Sequence, residues 1–136
     1  MMRVLVMAAN DAYFAVHMER VHQVLRHPLV TRIPLSPVGL IGVVNVRGEI
    51  VPLLDTAVLT GTGRLDEPAF AVLVSSGDDM VALAAQELPI AADFEAPVGA
   101  GAQPGEVAVY SNGGRLVVLI DVEELVKNRL DLKRAS

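Results

Sequence analysis

The chain has 136 residues, 52% hydrophobic and only 4% aromatic with no tryptophan, so it can fill the aliphatic core of one ordinary domain. A net charge of −5 and a pI of about 5.1 argue against a nucleic-acid partner, which needs a basic face. The absence of cysteine excludes disulfides, thiol catalysis and cysteine-ligated metals. No apolar run suits a signal peptide or a transmembrane helix, so we expect a cytoplasmic protein without direct membrane insertion.

The chain contains two pairs of similar segments, the first pair being valine-rich hairpins. The runs that begin at Val4 and Val72 both read Val-Leu-Val, and each reaches a polar pair, at residues 10–11 and 78–79. Asn, Asp and Gly at such points are typical of tight turns between antiparallel strands. Each run therefore predicts a β-hairpin.

The second pair is "GVVNVRGEIVPLLD" (42–55) and "VAVYSNGGRLVVLID" (107–121). The separation of Gly48 from Gly114 along the chain equals that of Asp55 from Asp121. Each segment predicts a strand, a turn at the glycine, a strand, and a short helix capped by the aspartate, with the second helix closing the chain. Two copies of one unit explain this equal spacing, and chance similarity of valine-rich strands remains the alternative. Short strands and frequent turns predict an all-β fold, in which units of about five strands close most naturally as small barrels.

Candidate catalytic and metal-binding residues do not form a pattern. His17, His22 and His27 recur every five residues, a spacing that fits neither one helix face nor one strand face. "SSGDD" (75–79) lacks the Gly-x-Ser-x-Gly elbow of a nucleophile and fits a polar turn. We therefore predict no catalytic residue and no metal site.

The segment "TRIPLSPVGLIG" (31–42) and the strand that follows it indicate a protein-binding surface. Residues before proline avoid the helical region, so this segment should be extended, and Pro52 inside a strand implies an edge or a bulge. Asn45 and Arg47 point to the same side of their strand and would form a polar face. The alternative is a loop that folds over its own core and a solvent-facing arginine.

These residues resemble the signature of the CheW-like domain family. That pattern runs Pro, Gly-Val-x-Asn-hydrophobic-Arg-Gly, then hydrophobic-Pro-hydrophobic-hydrophobic-Asp, and weaker agreement extends over most of the chain. Here it is met by Pro34, Gly42, Val43, Asn45, Val46, Arg47, Gly48, Val51, Pro52, Leu53, Leu54 and Asp55.

The resemblance implies a single CheW-like domain over 1–136, built as two five-stranded SH3-like β-barrels around a shared aliphatic core. The approximate halves are 1–60 and 70–130, between which strands can be exchanged. It also implies a non-catalytic adaptor in bacterial chemosensory signalling, which binds the cytoplasmic tip of a methyl-accepting chemoreceptor and the regulatory domain of a CheA-type histidine kinase. Such an adaptor needs no cofactor and can be recruited to membrane-bound receptor arrays.

The resemblance carries partner-binding roles onto matching positions. Arg47 would lie close to the partner-binding region, with a receptor helix packed in a hydrophobic groove. Many members place a glutamate, paired with that arginine, where this chain has Gln23, so Glu19 or Glu49 would have to supply the carboxylate. The residues expected to contact partners are Val21, Gln23, Ile41, Gly42, Asn45 and Arg47.

The second half of the chain departs most from the family pattern. Between residues 90 and 107 it is short and rich in Gly, Ala and Pro, which suggests a reduced second barrel. The kinase surface is expected around "MVALAAQ" (80–86) and its turn. One alternative function is therefore a diverged adaptor that binds receptors but contacts the kinase weakly or not at all. A small β-barrel enzyme or ligand-binding protein is the second alternative.

Overall fold

The computed structural model of the protein describes residues 1–65 and 67–129, and these residues form twelve strands and two α-helices. Valine-rich, alternating sequence accounts for the strands, because β-branched side chains pack well on a pleated surface. In chain order the strands are β1 (Met2–Ala9), β2 (Ala12–His17), β3 (Val21–Arg26), β4 (Val30–Thr31), β5 (Leu40–Val46), β6 (Glu49–Leu54), β7 (Phe70–Ser76), β8 (Asp79–Ala85), β9 (Ile90–Phe94), β10 (Gly99–Ala100), β11 (Glu106–Asn112) and β12 (Arg115–Ile120). The helices are α1 (Thr56–Thr60) and α2 (Val122–Arg129).

The strands form two six-stranded sheets, which confirms the all-β class. Sheet A has the order β10-β11-β12-β2-β1-β9, and sheet B has the order β3-β7-β8-β6-β5-β4. Each sheet has six strands rather than the expected five, because a two-residue strand, β10 or β4, is added at one edge. Each sheet also takes strands from both halves of the sequence, so the halves 1–60 and 70–130 exchange strands.

The two sheets repeat one arrangement of strands. In sheet A the β1–β2 and β11–β12 hairpins are joined by parallel pairing of β12 with β2, and in sheet B β7–β8 and β5–β6 are joined by parallel pairing of β6 with β8. Irregularities in the ladders occur between Leu40 and Gly42 and between Glu106 and Ala108, which are equivalent places in the two copies. The internal repeat is therefore a repeat of strand order and register.

The core follows from the two-residue period of the strands. On β1, Leu5 and Met7 face the large core cluster that also contains Val72 and Leu83 of sheet B, whereas Val4 faces a smaller cluster within sheet A. The larger cluster thus contains residues of both sheets and is the shared aliphatic core. Sheet A buries residues on both faces, as its two clusters require.

Pro52 lies in the interior of sheet B, so its expected place at an edge or bulge is wrong. Strand β6 is flanked by β5 and β8, and Pro52 pairs with Val43 of β5. The parallel ladder to β8 contains only Leu53 and Leu54 of β6. Proline is tolerated here because the ladder that would need its missing N–H begins one residue later.

Both predicted helix caps are present. Asp55 accepts hydrogen bonds from the N–H groups of Ala57 and Val58, and Asp121 accepts one from Glu124. The part of this closing helix that would follow Arg129 lies outside the described residues. Neither α1 nor α2, as far as the chain is described, has the length and apolar character needed to span a bilayer.

Candidate functional site

The turn between β5 and β6 presents Arg47 at its tip. Arg47 has φ +52° and Gly48 has φ +86°, so both central residues of the turn are left-handed, as in a type I′ hairpin. The side-chain Oδ1 of Asn45 accepts a hydrogen bond from the N–H of Gly48 at 2.8 Å. The structure thus gives Asn45 a role in shaping the turn, next to the partner-binding role expected for it.

Arg47 occupies a backbone conformation that glycine adopts more easily. At the equivalent turn of sheet A the two central residues are Gly113 and Gly114, with φ +60° and +81°. A left-handed backbone is unfavourable for a residue with a Cβ and a long side chain. Arg47 is nevertheless exposed rather than packed. An unfavourable backbone with an exposed side chain points to a function for the guanidinium group.

Gln23 and Arg47 line one concave surface, which we call the Arg47 depression. Its volume is about 600 Å³, and Gln23 reaches it from β3, where it pairs with Leu73 of β7. Within the described chain, no hydrogen bond or ion pair joins Gln23 to Arg47. Of the two alternative carboxylates, Glu49 lines this depression and Glu19 does not. The full lining is His22, Gln23, Val46, Arg47, Glu49, Leu73 and Met80.

The remaining expected contact residues lie outside this depression. Ile41 and Gly42 are at the start of β5, the end opposite Arg47, and both are buried. A Cβ on Gly42 would stand 2.4 Å from the backbone oxygen of Thr31, so glycine is needed there for the close approach of β4. Val21 is half-buried at the start of β3, two residues from Gln23.

Asp55 connects α1 to the segment that follows it. One carboxylate oxygen caps the helix, and the other accepts a hydrogen bond from the N–H of Leu65 at 2.8 Å. Asp55 is only 5% exposed. Its place in the family motif therefore has a structural explanation that does not involve a partner.

The histidines lie in separate environments. His22 Nε2 lies 2.6 Å from the hydroxyl oxygen of Ser75, and the His27 ring stacks on Phe70 at 6.4 Å between ring centroids. Among residues 1–65 and 67–129, no three side chains of His, Asp or Glu are grouped so that they could hold a metal ion.

The segment expected to form the kinase surface is mostly buried. Residues 81–85 of β8 have little solvent exposure because β8 lies between β7 and β6 in sheet B. Only the turn at residues 77–80 and Gln86 remain accessible. The part of this segment that a partner could reach is therefore the turn and Gln86.

A second depression, missed by the sequence analysis, lies on sheet A at the place equivalent to the Arg47 depression. Its volume is about 280 Å³. The register of the repeat places Tyr13 at the position of Met80, Ile90 at that of Gln23, and Arg115 at that of Glu49. The Arg115 guanidinium lies over the Tyr13 ring at 4.5 Å. The nearly constant spacing between the two copies of each repeated segment was the signal that could have found it.

Comparison with known proteins agrees with this architecture. The family model described as CheW-like domain matches residues 3–130. The chain is 24% identical over 137 aligned positions to the chemotaxis protein CheW of Klebsiella aerogenes, covering 91% of this chain and 81% of that protein. The crystal structure of the scaffolding protein TtCheW from Thermoanaerobacter tengcongensis superposes with a TM-score of 0.77 at 18% identity, covering 93% of this chain and 92% of that one.

The match over nearly the whole chain defines the class of protein. The chain belongs to the CheW-like domain family. This is a family of non-catalytic adaptors, and membership confirms the prediction of an adaptor rather than an enzyme. The small β-barrel enzyme that the sequence left as an alternative is thereby set aside.

Proposed function

We propose that this chain couples methyl-accepting chemoreceptors to a CheA-type histidine kinase by direct protein contacts. Family membership supports the proposal, as do relatives named a chemotaxis protein and a scaffolding protein. The observation that carries it is Arg47, an exposed arginine with a left-handed backbone, where the equivalent turn of sheet A has glycine. Recruitment to receptor arrays is part of the same proposal.

The Arg47 depression is the proposed receptor surface. Val46 and Met80, both half-buried, supply apolar contact area, while Arg47 offers several hydrogen-bond donors on a flat guanidinium. An amphipathic receptor helix fits such a surface, with apolar side chains on the floor and an acceptor at the arginine. Gln23 beside it accepts and donates hydrogen bonds without adding charge.

The sheet A depression is the proposed surface for the kinase regulatory domain. It occupies the equivalent place in the repeat but has different chemistry, since Ile90 stands where sheet B has Gln23. Ile90 is 66% exposed and Leu88 is 54% exposed, so the depression offers apolar contact area beside the charged Glu87 and Arg115. An equivalent place in the repeat, with a smaller volume and different side chains, favours two different partners over two sites for one.

The alternative of an adaptor that contacts only receptors rested on a reduced second half. Sheet A, however, has the same number of strands as sheet B, and the short passage between residues 90 and 107 contains β10 as the counterpart of β4. The architecture therefore favours the two-partner adaptor, and the receptor-only adaptor becomes an outcome of the binding test.

The test is a pair of calorimetric titrations, one with a receptor cytoplasmic fragment and one with the kinase regulatory domain. Arg47→Ala removes the receptor-side guanidinium, and Ile90→Asp places a charge in the sheet A depression. Arg3→Ala is the control, because Arg3 is an exposed arginine with only a 3.7 Å surface contact to Asp93.

If the two partners bind at two different surfaces, each substitution should weaken the binding of one partner only. Arg47→Ala should weaken receptor binding, Ile90→Asp should weaken kinase binding, and Arg3→Ala should bind both as the wild type does. Wild-type binding to the receptor alone would support the receptor-only adaptor. Binding to neither partner would overturn the proposed function.

A further inference from the structure

The ring of Tyr13 holds Arg115 in the sheet A depression. The guanidinium carbon of Arg115 lies 4.5 Å from the centroid of that ring, which is a close cation–π contact. Tyr13 is half-buried and pairs with Ala8 of β1 and Val117 of β12, so the ring projects from a strand that is flanked on both sides. A guanidinium held on such a ring has fewer orientations available, so less conformational freedom is lost when it binds an acceptor.

The guanidinium N–H groups of Arg115 have no acceptor among residues 1–65 and 67–129. Neither a hydrogen bond nor an ion pair joins this side chain to another described residue, and Arg115 is exposed. Glu87 lines the same depression but does not pair with Arg115. A guanidinium that is held in place and not used by the fold can bind a carboxylate of another molecule through two parallel hydrogen bonds.

The fold does not require a cation at the position of Arg115. The equivalent residue of sheet B is Glu49, since Arg115 pairs with Asn112 across its turn as Glu49 pairs with Val46. The same strand arrangement therefore accepts either sign of charge at this place. The two depressions thus present opposite charges to a partner at equivalent positions. A carboxylate that Arg115 attracts would be repelled by Glu49, which separates the partners of the two surfaces.

Aliphatic side chains accompany Arg115 in the sheet A depression. Leu88 and Ile90 are both exposed there, and burying them would stabilise a contact that the arginine orients. We propose that this depression recognises a carboxylate-bearing side chain of its partner at Arg115, next to an aliphatic side chain that packs on Leu88 and Ile90. The inference rests on the proposed function, because the partner assigned to this depression is the kinase regulatory domain.

Calorimetric titration with the kinase regulatory domain, at low and at high salt, tests the role of the charge. Arg115→Gln should weaken binding about tenfold or more at low salt and should reduce its salt dependence, because an attraction between opposite charges is lost. Arg3→Gln is the matched control, an exposed arginine of the same sheet that lies outside the depression. Glu87→Gln should bind at least as tightly as the wild type, since it removes a charge that repels a partner carboxylate.

Tyr13 is a positioning residue in this proposal, because it acts through Arg115. Tyr13→Phe keeps the ring and should bind the kinase domain as the wild type does, whereas Tyr13→Leu should weaken binding several-fold. In the Arg115→Gln background, Tyr13→Leu should have little further effect. This double-mutant cycle distinguishes positioning of the arginine from a general loss of structure, which would weaken binding equally in both backgrounds.

The possible outcomes separate this inference from the proposed function. Kinase binding by the wild type, with Arg115→Gln binding as tightly as Arg3→Gln, would overturn the inference and leave the proposed function in place. The same loss from Tyr13→Leu in both backgrounds would overturn the positioning role. A wild type that does not bind the kinase domain would overturn the kinase part of the proposed function and this inference with it.

Discussion

The two copies of the hairpin–helix segment share a backbone but differ in what their aspartates do. The N–H of Asp55 donates to Gly39 O at 2.7 Å, and that of Asp121 donates to Gly105 O at 2.8 Å. The Asp55 carboxylate is buried and accepts three hydrogen bonds, whereas Asp121 is exposed and accepts one. The two copies of the segment thus share their backbone geometry, whereas the roles of their side chains differ.

The turns of the two segments show the same divergence. Gly113 and Gly114 meet the left-handed geometry of the sheet A turn without strain, and the sheet B turn places Arg47 where sheet A has Gly113. An arginine at that point is unfavourable for the turn and favourable for contact with a partner. The difference between the two copies therefore separates residues that maintain the fold from those that we propose to contact other proteins.

The largest expected effect is on the buried cap. Asp55→Ala removes the acceptor of three N–H groups, two of them buried, and should lower the free energy of unfolding by about 3 kcal/mol. Asp121→Ala removes one exposed acceptor and should cost about 0.5–1 kcal/mol. Urea unfolding of both variants measures the two losses. Equal losses would mean that the two aspartates have not diverged.

Gly42 provides the second test, because the equivalent residue in sheet A is Ala108. Gly42→Ala places a Cβ 2.4 Å from the backbone oxygen of Thr31, which must move, and should cost about 2 kcal/mol. Ala108→Gly, the reverse exchange, should cost only about 0.5–1 kcal/mol through chain entropy. Thermal unfolding compares the two. A neutral Gly42→Ala would contradict the close approach of β4 to β5.

Gly48 and Gly114 should respond alike, because they share the backbone frame. Their φ values are +86° and +81°, and a Cβ on either would meet no atom within 4 Å. Valine at either position is unfavourable only because of the left-handed backbone, so each variant should lower the free energy of unfolding by about 1–2 kcal/mol. Thermal unfolding of Gly48→Val and Gly114→Val is the measurement. Unchanged stability of either would refute the turn assignment.

The smallest expected effect is at Gln23. Gln23→Glu places a carboxylate in the Arg47 depression and should strengthen the interaction with Arg47 by at most about 1 kcal/mol, since both side chains are accessible to solvent. A double-mutant cycle with Arg47→Ala at low salt measures the coupling. Gln86→Glu is the control, an exposed glutamine outside the depression. A coupling no larger than that of the control would show that the two side chains do not meet.

Much of the fold could be predicted from local sequence. Turn residues, alternating valines and the equally spaced glycines and capping aspartates indicated the hairpins, the helix starts and the all-β class. The exchange of strands between sheets could not be read in the same way, because pairing of β1 and β2 with strands near the C-terminus depends on contacts distant in sequence. The position of Pro52 was predicted wrongly for a similar reason. Its strand, β6, is an interior strand only because β8, a later strand, pairs with it.

The candidate site could be predicted in part. The family pattern singled out Arg47 and Gln23, and the structure places both at one depression. Ile41 and Gly42 belong to the same motif, yet they are buried at the other end of β5, because a motif records residues needed for packing as well as for contact. The sheet A depression escaped notice because Tyr13, Ile90 and Arg115 are far apart in sequence and meet only through the repeat.

The central claim is that Arg47 serves recognition and not stability. A receptor cytoplasmic fragment titrated into the wild type, Arg47→Ala, Arg47→Gly and Arg3→Ala, with thermal unfolding of the same samples, tests it directly. The account predicts that both Arg47 variants bind about tenfold or more weakly, with the melting temperature unchanged for alanine and at least as high for glycine, which suits φ +52°. Arg47 variants that bind the receptor as tightly as Arg3→Ala would contradict it.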